Sequence, residues 1–469
     1  MSNGAGHADL VRGLGLAGAV AINVANMIGT GVFLKSRVMV CNVGNGFTVL
    51  AVWLAAGLLV LCGTFCYAEI AAMFPEAGGE YVFLKQAYGR FVGFLGGWTS
   101  LFVMKPAGNA AIAMGFAIFL NVALGGGLDA SVLSFGVRGG SLHVDGLTLV
   151  ALAAMWTTAL INCCPVAAAG NASLAITILK TVLLALIALG AFTLAHGDFG
   201  HLALTSHNGR CEGVPSSAQG GLAGLGAAMM GALWAYDGWN NVTPLAGEIK
   251  NPARNLPRAF TGGVLVVGAL YLAANISYFY VLTPTEIANV ASTSSVATIV
   301  AERFLGHAAV TFIAISLVIS SFGALNAGTL AGPRTPFAMA RDGLFFRVFA
   351  KVSPSTHVPA RATIAQTGWA SLLVASGSYD SLSDAAMFAS WVFFGLAAAS
   401  LFVFRRRFPD TPRPYRALGY PWLPAIFVGV TLLLTVNTFI ASPKLAMAGL
   451  AMLIVGMPFY LYWARRKLS

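Results

Sequence analysis

Asp237 is an acidic residue inside the apolar stretch 221–244, within the run Trp234-Ala235-Tyr236-Asp237-Gly238-Trp239-Asn240. A carboxylate at the centre of a membrane helix costs about 2.5–3.5 kcal/mol on insertion scales, so it persists only where a partner, water or a ligand meets it. Asp237 is therefore the first candidate for binding chemistry. Lys180, in Ile176-Thr177-Ile178-Leu179-Lys180, is the second. It could snorkel to an interface, but its fixed ammonium ion could also take the place of a coupling sodium beside unwound carbonyls, and that role is favoured here. Glu69 stands one turn before Phe74-Pro75-Glu76 and is expected to reach the interface or hold a loop. Lys105, before Pro106, and Arg334 read as inner-half cations or partners for nearby helix ends.

Other chemistries lack their residues. The histidines, at 7, 143, 196, 201, 207, 307 and 357, fall in predicted termini, loops or span edges. No His/Cys/carboxylate cluster with metal spacing, no Gly-x-x-x-x-Gly-Lys-Ser/Thr and no nucleophile elbow occurs. An enzyme or an ATP-driven pump is therefore not expected, and neither is a metal or a cofactor.

The elements that must position these residues are membrane helices. Of 469 residues 58% are hydrophobic and 9% charged, against roughly 25% charged in a soluble protein. Twelve apolar segments, each able to cross a hydrocarbon core about 30 Å thick, are predicted at 14–38, 45–73, 91–123, 147–164, 171–195, 221–245, 259–283, 308–337, 362–378, 384–404, 421–441 and 445–464.

The net charge of +11 follows membrane topology rather than a nucleic-acid footprint. With a cytoplasmic N-terminus, the inner segments carry eighteen basic residues, among them Arg12, Lys85, Lys250, the 405–407 cluster and 465–467. The outer segments carry only Lys35, Arg37, Arg138, Arg210, Arg303 and Lys444. The positive-inside rule then places both termini in the cytoplasm. The first apolar segment is longer than a secretory h-region and lacks a small-residue cleavage site, so it is read as a retained span. Of six cysteines only Cys41 and Cys211 are expected outside, and no disulfide framework is expected.

Two spans are interrupted alike. Span 1 holds Asn26-Met27-Ile28-Gly29-Thr30-Gly31, and span 6, five spans later, holds Tyr236-Asp237-Gly238-Trp239-Asn240-Asn241. The span-1 glycines alone could serve helix packing. Paired with the Asp-Gly break, they point to an inverted-repeat transporter whose substrate site forms where the two helices unwind. The repeats would be 14–195 and 221–404, with 421–464 added after them, in one transport domain. A channel is the rival class, but no repeated filter sequence is visible. An amino-acid-sensing receptor would need a signalling domain or tail, and the chain ends at Arg465-Arg466-Lys467-Leu468-Ser469.

At these residues the chain resembles the amino acid/polyamine/organocation superfamily, most closely its L-type amino-acid transporter branch. The resemblance runs nearly end to end, through Ile28-Gly29-Thr30-Gly31-Val32-Phe33, Cys66-Tyr67-Ala68-Glu69, Gly78-Gly79-Glu80-Tyr81, Lys105-Pro106, Asn162-Cys163, Lys180, the 234–240 run, Glu248-Ile249-Lys250-Asn251-Pro252, Asn255-Leu256-Pro257, Thr283-Pro284-Thr285-Glu286 and Phe322-Gly323. It implies an all-α polytopic fold of 12 transmembrane helices, a LeuT-type 5+5 inverted repeat with helices 1 and 6 broken. It also implies sodium-independent amino-acid transport, by exchange through alternating access. A proton-coupled permease for amino acids, polyamines or other amines is the alternative.

The implied substrate site comprises Ile28, Gly29, Thr30, Gly31, Trp234, Ala235, Tyr236, Asp237, Gly238 and Asn240. The substrate carboxylate would meet the amides at Gly29 to Gly31 and its ammonium the carbonyls around Trp234 to Tyr236. Trp234 corresponds to the family's aromatic gate, with a packing tryptophan as its plainer role. Lys180 matches the lysine beside the vanished sodium position. A run like the one around Asp237 occurs in the branch member that exchanges cationic for neutral amino acids, so cationic and/or neutral L-amino acids are the expected cargo, with cationic or mixed specificity favoured over neutral-only. Asp237 could equally pair with an internal cation or stay protonated. The outside loop 125–146 lacks the cysteine by which animal light chains of the branch join a heavy chain, so no disulfide-linked heavy chain is expected. The partners expected are an amino-acid substrate and the bilayer of the plasma (inner) membrane.

Overall fold

Span 1 is two helices. In the computed structural model, which describes residues 10–129, 131–137, 140–207, 209–292, 294–376, 379–441 and 443–465, α1 (Leu16–Met27) and α2 (Gly31–Val43) are separated at Ile28, where the backbone turns to φ −74°, ψ 74°. Span 2 is α3 (Gly46–Met73), started by the Asn45 side chain, which accepts the Thr48 amide at 2.8 Å. A short helix, α4 (Glu80–Tyr88), follows.

Span 3 joins α5 (Arg90–Thr99) to α6 (Lys105–Ala123) through a π-helical turn, Ser100–Met104. The turn has a covalent cause. Pro106 has no N–H, so the Phe102 carbonyl loses its helical donor, and the Trp369 indole N–H takes the vacant place at 2.7 Å. Then come α7 (Gly146–Ile161), α8 (Val166–Leu194) and α9 (Gly221–Tyr236). α9 stops one residue before Asp237, and the chain regains helical form only as a 3-10 turn, Thr243–Glu248. The rest is α10 (Pro252–Val281), α11 (Pro284–Ala288), α12 (Val296–Leu305), α13 (His307–Ala331), α14 (Arg334–Arg341), α15 (Ala360–Ser376), α16 (Tyr379–Arg407), α17 (Trp422–Ala441) and α18 (Pro443–Arg465).

Among the described residues nine helices are long and apolar enough to cross a membrane, and Gly146–Ile161 and Gly221–Tyr236 are shorter apolar helices. The expected ninth span corresponds to α15, of 17 residues. The all-α polytopic class holds, and the loop between α6 and α7 adds one hairpin in which β1 (Ser131–Val137) pairs antiparallel with β2 (Gly140–Asp145). One expectation needs correction: Cys41 and Cys211 form a disulfide, with Cα atoms 5.6 Å apart. Arg138, Arg466 and Lys467, used above for orientation, lie outside the described residues, as does the side chain of Lys444.

The packing pairs spans five apart: α2 lies on α9, α3 on α10 and α6 on α13, while α1 rests on α8, α10 and α13. α17 and α18 present exposed Leu432, Leu433, Ile440, Ile454 and Val455, an apolar face suited to lipid. Charges at the end of the bundle that carries Glu69 and Glu248 are paired. Arg334 and Glu248, both fully buried, form a two-point ion pair at 2.9 and 3.1 Å. Glu69 holds the loop after α16, pairing with Arg405 at 2.7 Å and Arg413 at 3.2 Å and accepting the Ala417 amide at 2.7 Å.

Candidate functional site

The last carbonyls of α1 have no acceptor role left inside their own helix, and each that is exposed by the break must find a donor. Lys180, buried on α8, supplies two bonds, its Nζ donating to Ala25 O and Ile28 O at 2.5 Å each. Ser320 adds a bond to Ile28 O at 3.3 Å. Met27 O accepts from the Tyr271 hydroxyl at 2.5 Å, and the same hydroxyl lies 2.8 Å from Ala235 O at the end of α9. A phenol has one proton, so Tyr271 serves the two breaks alternately.

The two broken helices touch. A Cβ on Gly31 would lie 2.5 Å from the Ala235 Cα, so only glycine admits this approach. On the other side, Gly238 has φ +93° and its Cβ would collide with Asn26. Asp237 therefore leaves the helix in an extended conformation, φ −59°, ψ 148°, and its side chain is not stacked within a continuing helix.

A cavity opens between these breaks and α6. It is lined by Asn26, Met27 and the 29–31 turn, by Trp234, Asp237 and Asn241, by Met104, Lys105, Gly108, Asn109 and Ile112, and by Gly328. Of the site residues expected from the sequence, Gly29, Thr30, Gly31, Trp234 and Asp237 reach it. Ile28, Ala235, Tyr236, Gly238 and Asn240 stand behind it. Ile28 receives Lys180, Ala235 packs on Gly31, and the Tyr236 hydroxyl is directed at Trp53 O, 3.4 Å away. The Asn240 amide donates to Glu80 Oε1.

Nine lining residues, Asn26, Met27, Met104, Lys105, Gly108, Asn109, Ile112, Asn241 and Gly328, were not in the expected site, and two charged residues take unforeseen roles, Lys105 in the lining and Glu80 outside it, behind Asn240. Lys105, expected to be structural, lines the cavity and donates to Asn241 Oδ1. Asn241 in turn donates to Asn26 Oδ1 at 2.9 Å, and Asn26 to Ile22 O at 2.8 Å, so one amide chain joins α6 to both breaks. Glu80, read only as part of a loop motif, is buried because α4 folds back under the 243–248 turn, with Gly79 against Pro244. The sequence signal for Lys105 was its neighbour. A proline one residue on forces the π-turn, and such turns often mark functional positions. Glu80 offered no such signal. Among the described residues no group of His, Cys, Asp and Glu could hold a metal ion.

The opening amides of α2, at the positive end of a helix, have the polarity that suits an anion, and the Asp237 carboxylate the polarity that suits a cation. A family model described as amino acid permease matches residues 14–461. The serine/threonine exchanger SteT of Bacillus subtilis is 31% identical over 98% of each chain. The b(0,+)-type amino acid transporter 1 of Mus musculus is 29% identical over 93% of this chain and 84% of its own. The large neutral amino acids transporter small subunit 2 of Mus musculus is 28% identical over 99% of this chain and 84% of its own.

Proposed function

The chain belongs to the amino acid permease family, and from that premise we propose a sodium-independent exchanger of neutral and cationic L-amino acids that works by alternating access. It is a transporter and not an enzyme, as its family and relatives are. The observation that carries the proposal is the shared cavity, in which the opening turn of α2 and the Asp237 carboxylate face the same space beside Trp234.

The substrate's carboxylate docks on the Gly29 to Gly31 turn, its ammonium takes carbonyls near the end of α9, and Asp237 reads the side chain. Trp234 closes over it. Lys180 supports sodium independence because its ammonium already neutralises the Ala25 and Ile28 carbonyls that a coupling ion would need.

Architecturally we assign twelve transmembrane helices in a LeuT-type arrangement, with repeats 14–195 and 221–404 followed by 421–464. The pairing of spans 1 with 6, 2 with 7 and 3 with 8 supports this. Both termini are assigned to the cytoplasm. The basic residues favour that, and so does the Cys41–Cys211 disulfide at the far end of α2, since such bonds persist on the oxidising side of a membrane. The same bond occupies both outer cysteines and 125–146 has none, which supports a carrier without a disulfide-linked heavy chain.

The test is counterflow in liposomes preloaded with unlabelled amino acids, offering labelled arginine, serine and leucine outside, with and without sodium. Uptake that needs internal amino acid and ignores sodium is expected. Uptake into empty vesicles, or strict sodium dependence, would overturn the exchange reading.

A further inference from the structure

We propose that Lys105 sets the substrate preference of this carrier. Its tethered ammonium ion competes with the substrate side chain for Asp237, restraining cationic amino acids and making room for neutral ones. The inference rests on the transport reading above and adds a determinant to it.

The charge balance at the cavity is uneven. Glu80, buried, and Asp237, partly buried, are both within Coulomb reach of Lys105, whereas Lys180 is spent on carbonyls of the first break and Lys35 is bonded to Ser383. Two carboxylates therefore share one ammonium. Tyr67 lies beside the same carboxylates and brings no positive charge. An unpaired buried charge is costly, so the site favours any further cation that can enter.

Lys105 is the ammonium already standing there, so a cationic side chain that enters must compete with it for Asp237. Its Nζ is bonded to the Asn241 amide oxygen, leaving two of its three N–H donors for other partners. Asn241 is four residues from Asp237 in the chain, and both line the cavity with Lys105. The ammonium can thus answer Asp237 when a neutral side chain occupies the site and withdraw to Asn241 when an arginine or lysine side chain arrives. The position of Lys105 is fixed independently of any ligand, because it begins α6 directly after the π-turn that Trp369 holds through Phe102. A device of this kind gives specificity by repulsion as well as by attraction.

The test compares wild type, Lys105→Gln, Lys105→Arg, Asp237→Asn and the Lys105→Gln/Asp237→Asn pair in liposome counterflow, reading the ratio of arginine to leucine inhibition constants. Lys105→Gln is expected to shift that ratio toward arginine by tenfold or more, Lys105→Arg to leave it near wild type, and the double variant to cancel the gain. An unchanged ratio in Lys105→Gln, or equal loss of both substrates with full rescue by Lys105→Arg, would assign Lys105 to the fold and overturn the proposal. Should Lys105→Gln fail to insert, Asn241→Asp gives a second reading. A carboxylate there would pin the ammonium away from Asp237 and lower the arginine-to-leucine ratio of inhibition constants likewise, and no fall would again overturn it. Wild-type vesicles that exchange neither amino acid would instead sink the transport reading on which the proposal stands.

Discussion

Asp237 is held open to the cavity by backbone geometry, since the helix ends at Tyr236 and Gly238 turns the chain with φ +93°. Replacing it with asparagine keeps the shape and removes the charge. Arginine affinity should fall by about tenfold or more, roughly 1.4 kcal/mol, while leucine affinity changes less. Competition assays on reconstituted protein read this directly, and equal losses would return Asp237 to internal pairing. Lys180→Ala leaves the Ala25 and Ile28 carbonyls without their ammonium. Exchange should slow by an order of magnitude or shift its inward-to-outward balance, and unchanged kinetics would make Lys180 purely structural. Tyr271→Phe deletes the hydroxyl between Met27 O and Ala235 O. The expected loss is about 1–2 kcal/mol of stability, from a carbonyl left unpaired, measured as a lower midpoint in thermal inactivation.

Helices transmit these contacts through pairs that do not adjoin in sequence. The disulfide joins residues 170 apart and fixes the C-terminal end of α2 to the segment leading into α9, where Arg37 also donates to Glu212 O at 2.7 Å. The two broken spans are thereby tied together on that side. Cys41→Ser with Cys211→Ser should lower the thermal midpoint by several degrees, in keeping with about 2–4 kcal/mol for a typical disulfide, and reductant should affect wild type alone. A wild type indifferent to reductant would deny the bond that role. At the opposite end of the bundle, Glu248→Ala strands a fully buried Arg334. A cost of about 3–5 kcal/mol is expected from an unpaired buried charge, seen as loss of folded protein in detergent.

Across the whole molecule the interrupted spans sit centrally, and α17 and α18 present exposed apolar faces at the periphery. Reporter fusions at each end should both register cytoplasmic, whereas a hairpin-loop epitope inserted near 138 should register outside. An outside N-terminus would reverse the assignment of every loop. Sequence by itself determined the polytopic helical class and the two breaks, because apolar run length and glycine placement act locally. It also singled out Asp237, since an acid in an apolar run is visible without any partner.

Tertiary structure decided what that acid faces. Lys105 looked like an edge cation until the π-turn directed it to Asn241, and Glu80 looked like a loop residue until α4 folded it beneath Asn240. Cys41 and Cys211 stand 170 residues apart, and nothing local foretells that α2 and the 205–220 segment meet. Partnership between distant residues depends on how helices stack, and stacking is set by shape across the bilayer rather than by the pattern along one chain.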